Sequence, residues 1–342
     1  MPTSKIPATD RNMTDNTAAD CSVFIVSYNT REILARCLEH LFASNSGISM
    51  EVFIVDNDSK DDSVDMVRER FPQVILMPMD WNMGFARANN AAFARSTGEF
   101  VILLNPDAFV EPDAIAQALS FMHEHPKAAA CGGLILDDHG GKAPSARRFP
   151  TSFAKFCRMW GLADRFSGSP IFDKHDYRNS DLSQPMQVDW VPGTFTVIRR
   201  KALADATLFD ERFFMYYEET DLCLRLQRQG WEVWFVPSVR VMHLGGASAK
   251  TVKKDFDSSG SQVSGWRLRS EYLYFRKNFG LAAVLMHAGI EISRHWVRIF
   301  LNSLRKGEEA ARKKTDSRRK AQLCQEALAD TGYGSVSPKV PW

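Results

Sequence analysis

Between residues 22 and 125, short β-branched apolar runs alternate with segments whose apolar residues recur every three or four positions, and this alternation limits the possible folds most. Ser22-Val-Phe-Ile-Val-Ser27 is nearly all apolar, as suits a strand covered on both faces, because a strand with one wet face would alternate polar and apolar residues. Ile33, Leu34, Cys37, Leu38, Leu41 and Phe42 then follow the helical period. Residues 52–55, 74–77 and 100–104 repeat the strand signature, and 63–71 and 85–94 the helical one. Strands and helices at this spacing build βαβ units, so the expected class is α/β with a mainly parallel central sheet.

The rest of the chain reads differently. Glycine, proline, serine and aspartate are frequent from 137 to about 185, which predicts long surface loops. Regular structure is expected again over 188–199, as a helix over 221–229, and as strand-like runs at 233–236 and 239–242. From Trp266 onward the pattern is helical, and residues 266–320 hold fourteen Lys/Arg against five Asp/Glu. That local excess stands out because the 342-residue chain as a whole has a formal charge of only +2, which selects no partner. Residues 1–20 lack hydrophobic period and read as a disordered tail. They also lack the apolar core of a secretory signal, and no stretch of 18 uncharged apolar residues exists, so neither standard export nor a membrane span is expected. Six cysteines without a C-x-x-C pair depart from the usual zinc and thioredoxin spacings and fit reduced cytoplasmic thiols.

Polar residues gather where open α/β sheets bind ligands, at the C-terminal ends of the expected strands. Ser27-Tyr28-Asn29 follows the first run, Asp56-Asn57-Asp58-Ser59 the second and Asn105-Pro106-Asp107 the fourth. Each cluster alone could simply start a turn or cap a helix. The chain has no G-x-G-x-x-G after the first strand, no G-x-x-x-x-G-K-[ST] and no G-x-S-x-G, which argues against dinucleotide dehydrogenases, P-loop NTPases and α/β-hydrolases. Acidic loops without a phosphate-cradling backbone point instead to Mg²⁺ or Mn²⁺ held by one or two carboxylates and substrate phosphate oxygens, with Asp107 well placed as a ligand.

These clusters, together with Asn82-x-Gly84-Phe85-Ala86-x-Ala88-Asn89-Asn90, Asp189-Trp190-Val191-Pro192-Gly193 and Tyr216-Tyr217-Glu218-Glu219-Thr220-Asp221, closely resemble the inverting family-2 glycosyltransferases of the GT-A fold, in particular their rhamnosyltransferase-like branch. The matches run from residue 22 to about 245. The resemblance implies a GT-A domain over 21–250, with a nucleotide half (21–125) and an acceptor half (126–250), followed by a basic amphipathic helical extension (251–320) and a C-terminal tail (321–342). It implies that Ser27, Tyr28, Asn29, Asp56 and Asp58 meet the donor nucleotide, and that Asn82, Gly84, Phe85, Arg87 and Asn90 line the sugar-nucleotide cleft. Gly84 could instead only start a helix, and Arg87 could be a solvated face residue. Asn105-Pro106-Asp107 stands where the family has D-x-D, so Asp107 is the expected ligand, Asn105 a neighbour acting through water or sugar, and His243 a second ligand or else a strand-end histidine.

Inversion is one in-line displacement, in which the acceptor hydroxyl loses its proton as it attacks. The resemblance assigns the base to Glu219, with Glu218 second and Asp221 the third acid of the segment; acids in a first turn could also merely complement the helix dipole. Trp190 and Gly193 would lie under the acceptor, although Trp190 could equally pack in the core. The implied donor is dTDP-rhamnose, with UDP-sugars behind it, and the implied acceptor a glycan or polyprenyl-diphosphate-linked glycan of cell-surface polysaccharide or lipopolysaccharide synthesis. No nucleic-acid partner is expected. The basic helices suggest peripheral contact with the anionic inner face of the cell membrane, or alternatively a homo-oligomer interface or a solvated extension. Rival readings are a sugar nucleotidyltransferase, whose glycine-rich signature is missing, and an inactive carbohydrate- or nucleic-acid-binding module.

Overall fold

A computed structural model describes residues 19–44, 47–173, 176–177, 180–203, 207–245 and 261–338. The first half builds β1 (Cys21–Ser27), α1 (Arg31–Ala43), β2 (Met50–Asp56), α2 (Ser63–Arg70), β3 (Ile75–Pro78), α3 (Gly84–Phe93) and β4 (Phe100–Leu104). These four strands pair in parallel in the order β3-β2-β1-β4, as the alternation predicts. Successive side chains go to opposite faces: Phe24, Phe53 and Val101 join one core with α3, while Val23, Ile25, Val52 and Ile102 join another with α1 and α2. Burying one such side chain contributes about 1.5–3 kcal/mol, which is why both faces demand apolar residues.

The second half adds β5 (Ala108–Val110), α4 (Ala114–Glu124), β6 (Ala128–Leu136), α5 (Ser152–Met159), α6 (Leu162–Arg165), β7 (Met186–Gln187), β8 (Phe195–Arg199), α7 (Glu218–Arg228) and β9 (Glu232–His243). They extend the sheet to nine strands among the described residues, with β4 followed by β8, β6, β9 and β5, and β7 on β9. β8 is antiparallel to both neighbours, and β6 and β9 are parallel. Helices α8 (Ser261–Phe279), α9 (Leu281–Ser303) and α10 (Glu308–Asp330) complete the chain.

Several boundaries differ from the sequence reading. The helix expected over 221–229 starts earlier, at Glu218, and the two runs at 233–236 and 239–242 are one strand whose register against β6 shifts between Gly133 and Leu134. β6 itself has an alanine- and glycine-rich sequence that carries little strand signal. Its glycines are there for close approach: a Cβ on Gly133 would lie 2.4 Å from the Val239 carbonyl oxygen, and one on Gly132 2.7 Å from Val191 Cβ. The region read as loops contains α5 and α6. The expected tail at 321–342 is helical to Asp330 and buries Cys324 and Ala327, because α10 packs along α8 and α9 rather than ending near 320. The proposed disordered tail lies outside the described residues up to residue 18, as do residues 246–260 of the expected extension.

Candidate active site

Ser27, Asp56, Pro78 and Leu104 end the four parallel strands on one edge of the sheet, and the polar clusters follow them there. Hydrogen bonds join the loops. The Asn57 amide donates to the Ser27 carbonyl at 2.8 Å, the Asn29 amide to Ser59 Oγ at 2.9 Å, and the Lys60 amide to Asn29 Oδ1 at 2.7 Å. Tyr28 lies between these anchored neighbours, half-buried, and Ser27 Oγ is hydrogen-bonded to Thr30. Asp56 is buried; its Oδ1 accepts from the Ser59 amide at 2.9 Å, while Oδ2 has no hydrogen-bond partner among the described residues. Burial pushes its carboxyl above the usual range, against the opposing hydrogen bonds from Ser59. Such a desolvated oxygen suits a donor N–H or O–H from a ligand. Asp58 turns to Lys60 instead and forms an ion pair with it.

Gly84 begins α3 at φ +81°, accepting a hydrogen bond from Asn57 Nδ2 through its carbonyl and donating its amide to Asn82 Oδ1 at 3.0 Å. A Cβ at this position would meet the Phe214 carbonyl oxygen at 2.5 Å, so both conformation and space require glycine. The Phe85 amide donates to that same carbonyl at 2.7 Å, which docks the start of α3 on the loop before Glu218. The Phe85 ring faces Gly193, where a Cβ would lie 3.7 Å from the ring and 4.0 Å from Glu219 Cβ. Gly193 is thus the crossing point of the cleft segment, the acceptor-side motif and the acidic helix.

The neighbouring residue, Thr194, accepts a hydrogen bond from the Asn105 amide at 3.0 Å, which ties the loop after β4 to this junction. Two residues on, Asp107 Oδ1 lies 3.1 Å from His243 Nε2, because β5 pairs with the end of β9 and sets Ala108 opposite His243. Asp107 is buried and His243 partly so. Among the described residues no group of three or more His, Cys, Asp or Glu side chains converges as a metal cage. One carboxylate and one imidazole fit a cation that shares its remaining positions with substrate phosphates and water.

Glu218 is 4% exposed and Glu219 half-buried, each with an Oε2 lacking a hydrogen-bond partner among the described residues. Burial raises both carboxyls, that of Glu218 well above the glutamate range with repulsion from Glu219 added. Around Glu219 the amides of Thr220 and Gly193 and the charge of Arg147 pull the other way. Burial therefore favours the protonated form of Glu218, while Glu219 has compensating partners. Ahead of them Tyr216 and Tyr217 both adopt left-handed backbone, φ 71° and 68°, a conformation that costs on the order of 1–3 kcal/mol per non-glycine residue. Helix α8 holds it in place. Ser270 Oγ donates to the Met215 carbonyl at 2.7 Å, Trp266 packs on Phe214 at 5.2 Å, and Tyr274 on Tyr217 at 5.3 Å.

Other expected site residues have structural jobs. Asp221 is 0% exposed and accepts from Lys277 Nζ at 2.7 Å, Asn278 Nδ2 at 3.0 Å and Arg225 Nε at 3.2 Å. It fastens α7 to α8 with its carboxylate fully buried, which corrects its expected place beside Glu218 and Glu219 as a third acid of the site. Asn90 is likewise engaged: Oδ1 accepts from the Phe209 amide and Nδ2 donates to the Phe209 carbonyl, both at 2.9 Å. Arg87 is paired with Glu211 at 3.7 Å. Trp190 donates Nε1–H to the Arg148 carbonyl at 2.8 Å and has the Arg147 guanidinium 5.1 Å from its ring, so that ring is partly covered. Arg147 and the α8 residues Ser270, Lys277 and Asn278 escaped the sequence reading. Arg147 stands in no recognised motif, and α8 reaches the site only through tertiary packing.

The polar ends of parallel strands, a carboxylate–imidazole pair and a half-buried glutamate beside Gly193 form one edge of an α/β sheet of the kind that binds ligands. Residues 22–206 match the family model described as glycosyl transferase family 2, and the chain belongs to that family of glycosyltransferases. It is similar to the N-acetylglucosaminyl-diphospho-decaprenol L-rhamnosyltransferase of Mycobacterium tuberculosis, with 33% identity over 233 residues that cover 65% of this chain and 75% of the relative. It is also similar to rhamnosyltransferase WbbL of Escherichia coli, with 23% identity over 264 residues covering 75% and 92% of the two chains. The expected likeness to the rhamnosyltransferase-like branch therefore holds. Among solved structures, the fold is similar to that of a mannosyltransferase from Pyrobaculum calidifontis in complex with GDP-Man and Mn²⁺, at a TM-score of 0.52 and 15% identity over 94% of this chain and 88% of that one. The fold is GT-A-like, with helices added at the C-terminal end.

Proposed function

We propose that this glycosyltransferase moves L-rhamnose from dTDP-rhamnose, with inversion, to a hydroxyl of a polyprenyl-diphosphate-linked glycan in cell-surface polysaccharide synthesis. It acts at the inner face of the cell membrane. The sugar and acceptor follow from similarity to the two rhamnosyltransferases. The chemistry rests on one observation: Glu219 stands at the Gly193 junction, beside the cleft helix and one hydrogen bond from the loop that leads to Asp107.

In this reading Asp56 Oδ2 accepts a hydrogen bond from the donor nucleotide, and Gly84 and Phe85 shape the cleft. Asp107 and His243 would hold a divalent cation, with Asn105 nearby, and such a cation would supply positive charge to the departing diphosphate. Glu219 takes the proton from the acceptor hydroxyl as that oxygen attacks the anomeric carbon. Glu218 stays protonated behind it and so spares the pair a second negative charge. Gly193 leaves room for the acceptor, and Arg147 holds the Trp190 wall of the site.

The test is transfer of radiolabelled rhamnose from dTDP-rhamnose to a short-chain polyprenyl-diphosphate-N-acetylglucosamine with Mg²⁺ or Mn²⁺. The expected result is labelled lipid with the anomeric configuration inverted. Absence of transfer from every member of a nucleotide-sugar panel would refute the reading.

A further inference from the structure

Helix α9 is apolar on both sides. Its buried side holds Val284, Ala288 and Ile299 together with His287, His295 and Asn302, with Glu291 half-buried beside them, and its exposed side is mainly apolar. Leu285, Met286, Trp296, Phe300, Leu301 and Leu304 are all exposed, Trp296 at 56%, Phe300 at 63% and Leu304 at 71%. They lie on one side of the helix in two groups, Leu285 with Met286 and Trp296 to Leu304, joined through the exposed Gly289 and Ser293, and no Lys, Arg, Asp or Glu interrupts that side. Two of the inward polar groups, His287 and Glu291, join a buried cluster, while His287 Nε2 and His295 Nδ1 have no hydrogen-bond partner among the described residues. Lys155 Nζ of α5 lies 2.6 Å from Glu271 of α8 and 2.7 Å from Glu291 of α9, and His287 Nδ1 lies 2.8 Å from Glu271. This cluster fixes the rotation of α9, so the apolar stripe cannot turn inward without stranding buried charges.

Helix α5 lies against α9 and continues the pattern. Phe153, Phe156 and Trp160 are exposed, and Arg294 of α9 donates to the Met159 carbonyl at the end of α5. The exposed charges bordering these side chains are Arg158, Arg165, Arg305 and Lys306, with the half-buried Arg298, against the exposed acids Asp164, Glu308 and Glu309. No described helix is long and apolar enough to cross a membrane.

We propose that the outward faces of α9 and α5 form a docking surface for an anionic lipid bilayer, with the apolar stripe in the interfacial layer and the basic border on the headgroups. Apolar contact, interfacial tryptophans and positive charge are the combination such a surface needs. A second copy is a poorer occupant, because a two-fold interface sets a patch against itself and would bring the basic borders together. The inference deepens the proposed function by naming the surface that presents the enzyme to a lipid-linked acceptor, and its physical evidence is independent of the sugar transferred.

Flotation of the full chain with vesicles of equal phosphatidylglycerol and phosphatidylethanolamine, and with phosphatidylcholine vesicles, tests it. The expected result is flotation with the anionic vesicles that weakens with salt. The triple variant Trp296→Ser/Phe300→Ser/Leu304→Ser should lose at least about tenfold in vesicle affinity, and Arg305→Glu/Lys306→Glu about tenfold at low salt. Both should keep the native melting temperature and donor hydrolysis in solution. Failure of the unaltered chain to float, equal flotation of both variants, or a vesicle-independent dimer abolished by the triple variant would overturn the proposal. If rhamnosyl transfer fails while flotation behaves as expected, the function reading falls and the docking surface stands.

Discussion

The two sides of the cleft are built by opposite means. On the donor side, Ser27, Asn29, Asp56 and Asn105 sit within a few residues of the strands that position them, and their hydrogen bonds join adjacent loops. On the acceptor side, Glu218 and Glu219 follow two left-handed tyrosines and depend on α8, some fifty residues further along, for their support. The first arrangement needs little beyond a correct sheet. The second stores strain and buried charge, and α8 offsets both.

The comparison can be broken by substitution. Glu219→Gln should have the largest effect, a loss of about 10²–10⁴-fold in transfer with donor affinity unchanged by calorimetry. Near-normal turnover would move the base elsewhere. Asp221→Ala comes next: it removes the buried carboxylate between Lys277 and Arg225, which keep Asp210 and the Leu208 carbonyl, and should cost about 1.5–3 kcal/mol in denaturant unfolding. An unchanged unfolding midpoint would show that α7 does not rely on α8.

Asp107→Asn should weaken Mn²⁺ binding at least about tenfold while leaving the melting temperature nearly unchanged, as read by titration with dTDP present. Equal Mn²⁺ affinity in the variant would remove Asp107 from the cation site. Glu218→Gln should have a smaller and opposite effect, raising stability by about 1 kcal/mol at neutral pH. The sign follows from the raised carboxyls of Glu218 and Glu219. Their contribution is fully present below the ordinary glutamate pKa and is lost as pH rises through the higher folded-state values. The variant's stability should therefore fall less as pH rises, and an identical pH dependence would contradict burial as the cause. Transfer itself should increase with pH as Glu219 loses its proton. Asp58→Ala should change stability least, by less than about 1 kcal/mol, because its ion pair with Lys60 is exposed.

The same contrast explains what the sequence disclosed. β1 to β4 and their loops were legible because both apolar runs and polar ends are local signals. The pairing of Asp107 with His243 was legible only through resemblance, since antiparallel pairing of β5 and β9 brings together residues 136 positions apart. β6 was hidden because Gly132 and Gly133, chosen for close approach, suppress strand character. Asp221 was misassigned because its first-turn position resembles that of the glutamates, while its partners Lys277 and Asn278 lie in a helix with no motif. Helix α9 read as a basic amphipathic segment, but it also buries charge through the Lys155 cluster, a three-helix interaction that no local window contains.

The dependence of the tyrosine turn on α8 also has a temporal side. During synthesis the ribosome delivers every recognisable motif before residue 261, yet the residues that clamp Met215, Tyr217 and Asp221 emerge only afterwards. A nascent chain can thus assemble the loops around Asp56 early while the Glu218–Glu219 turn stays unclamped, so that, in the proposed function, competence would arrive with the last helices.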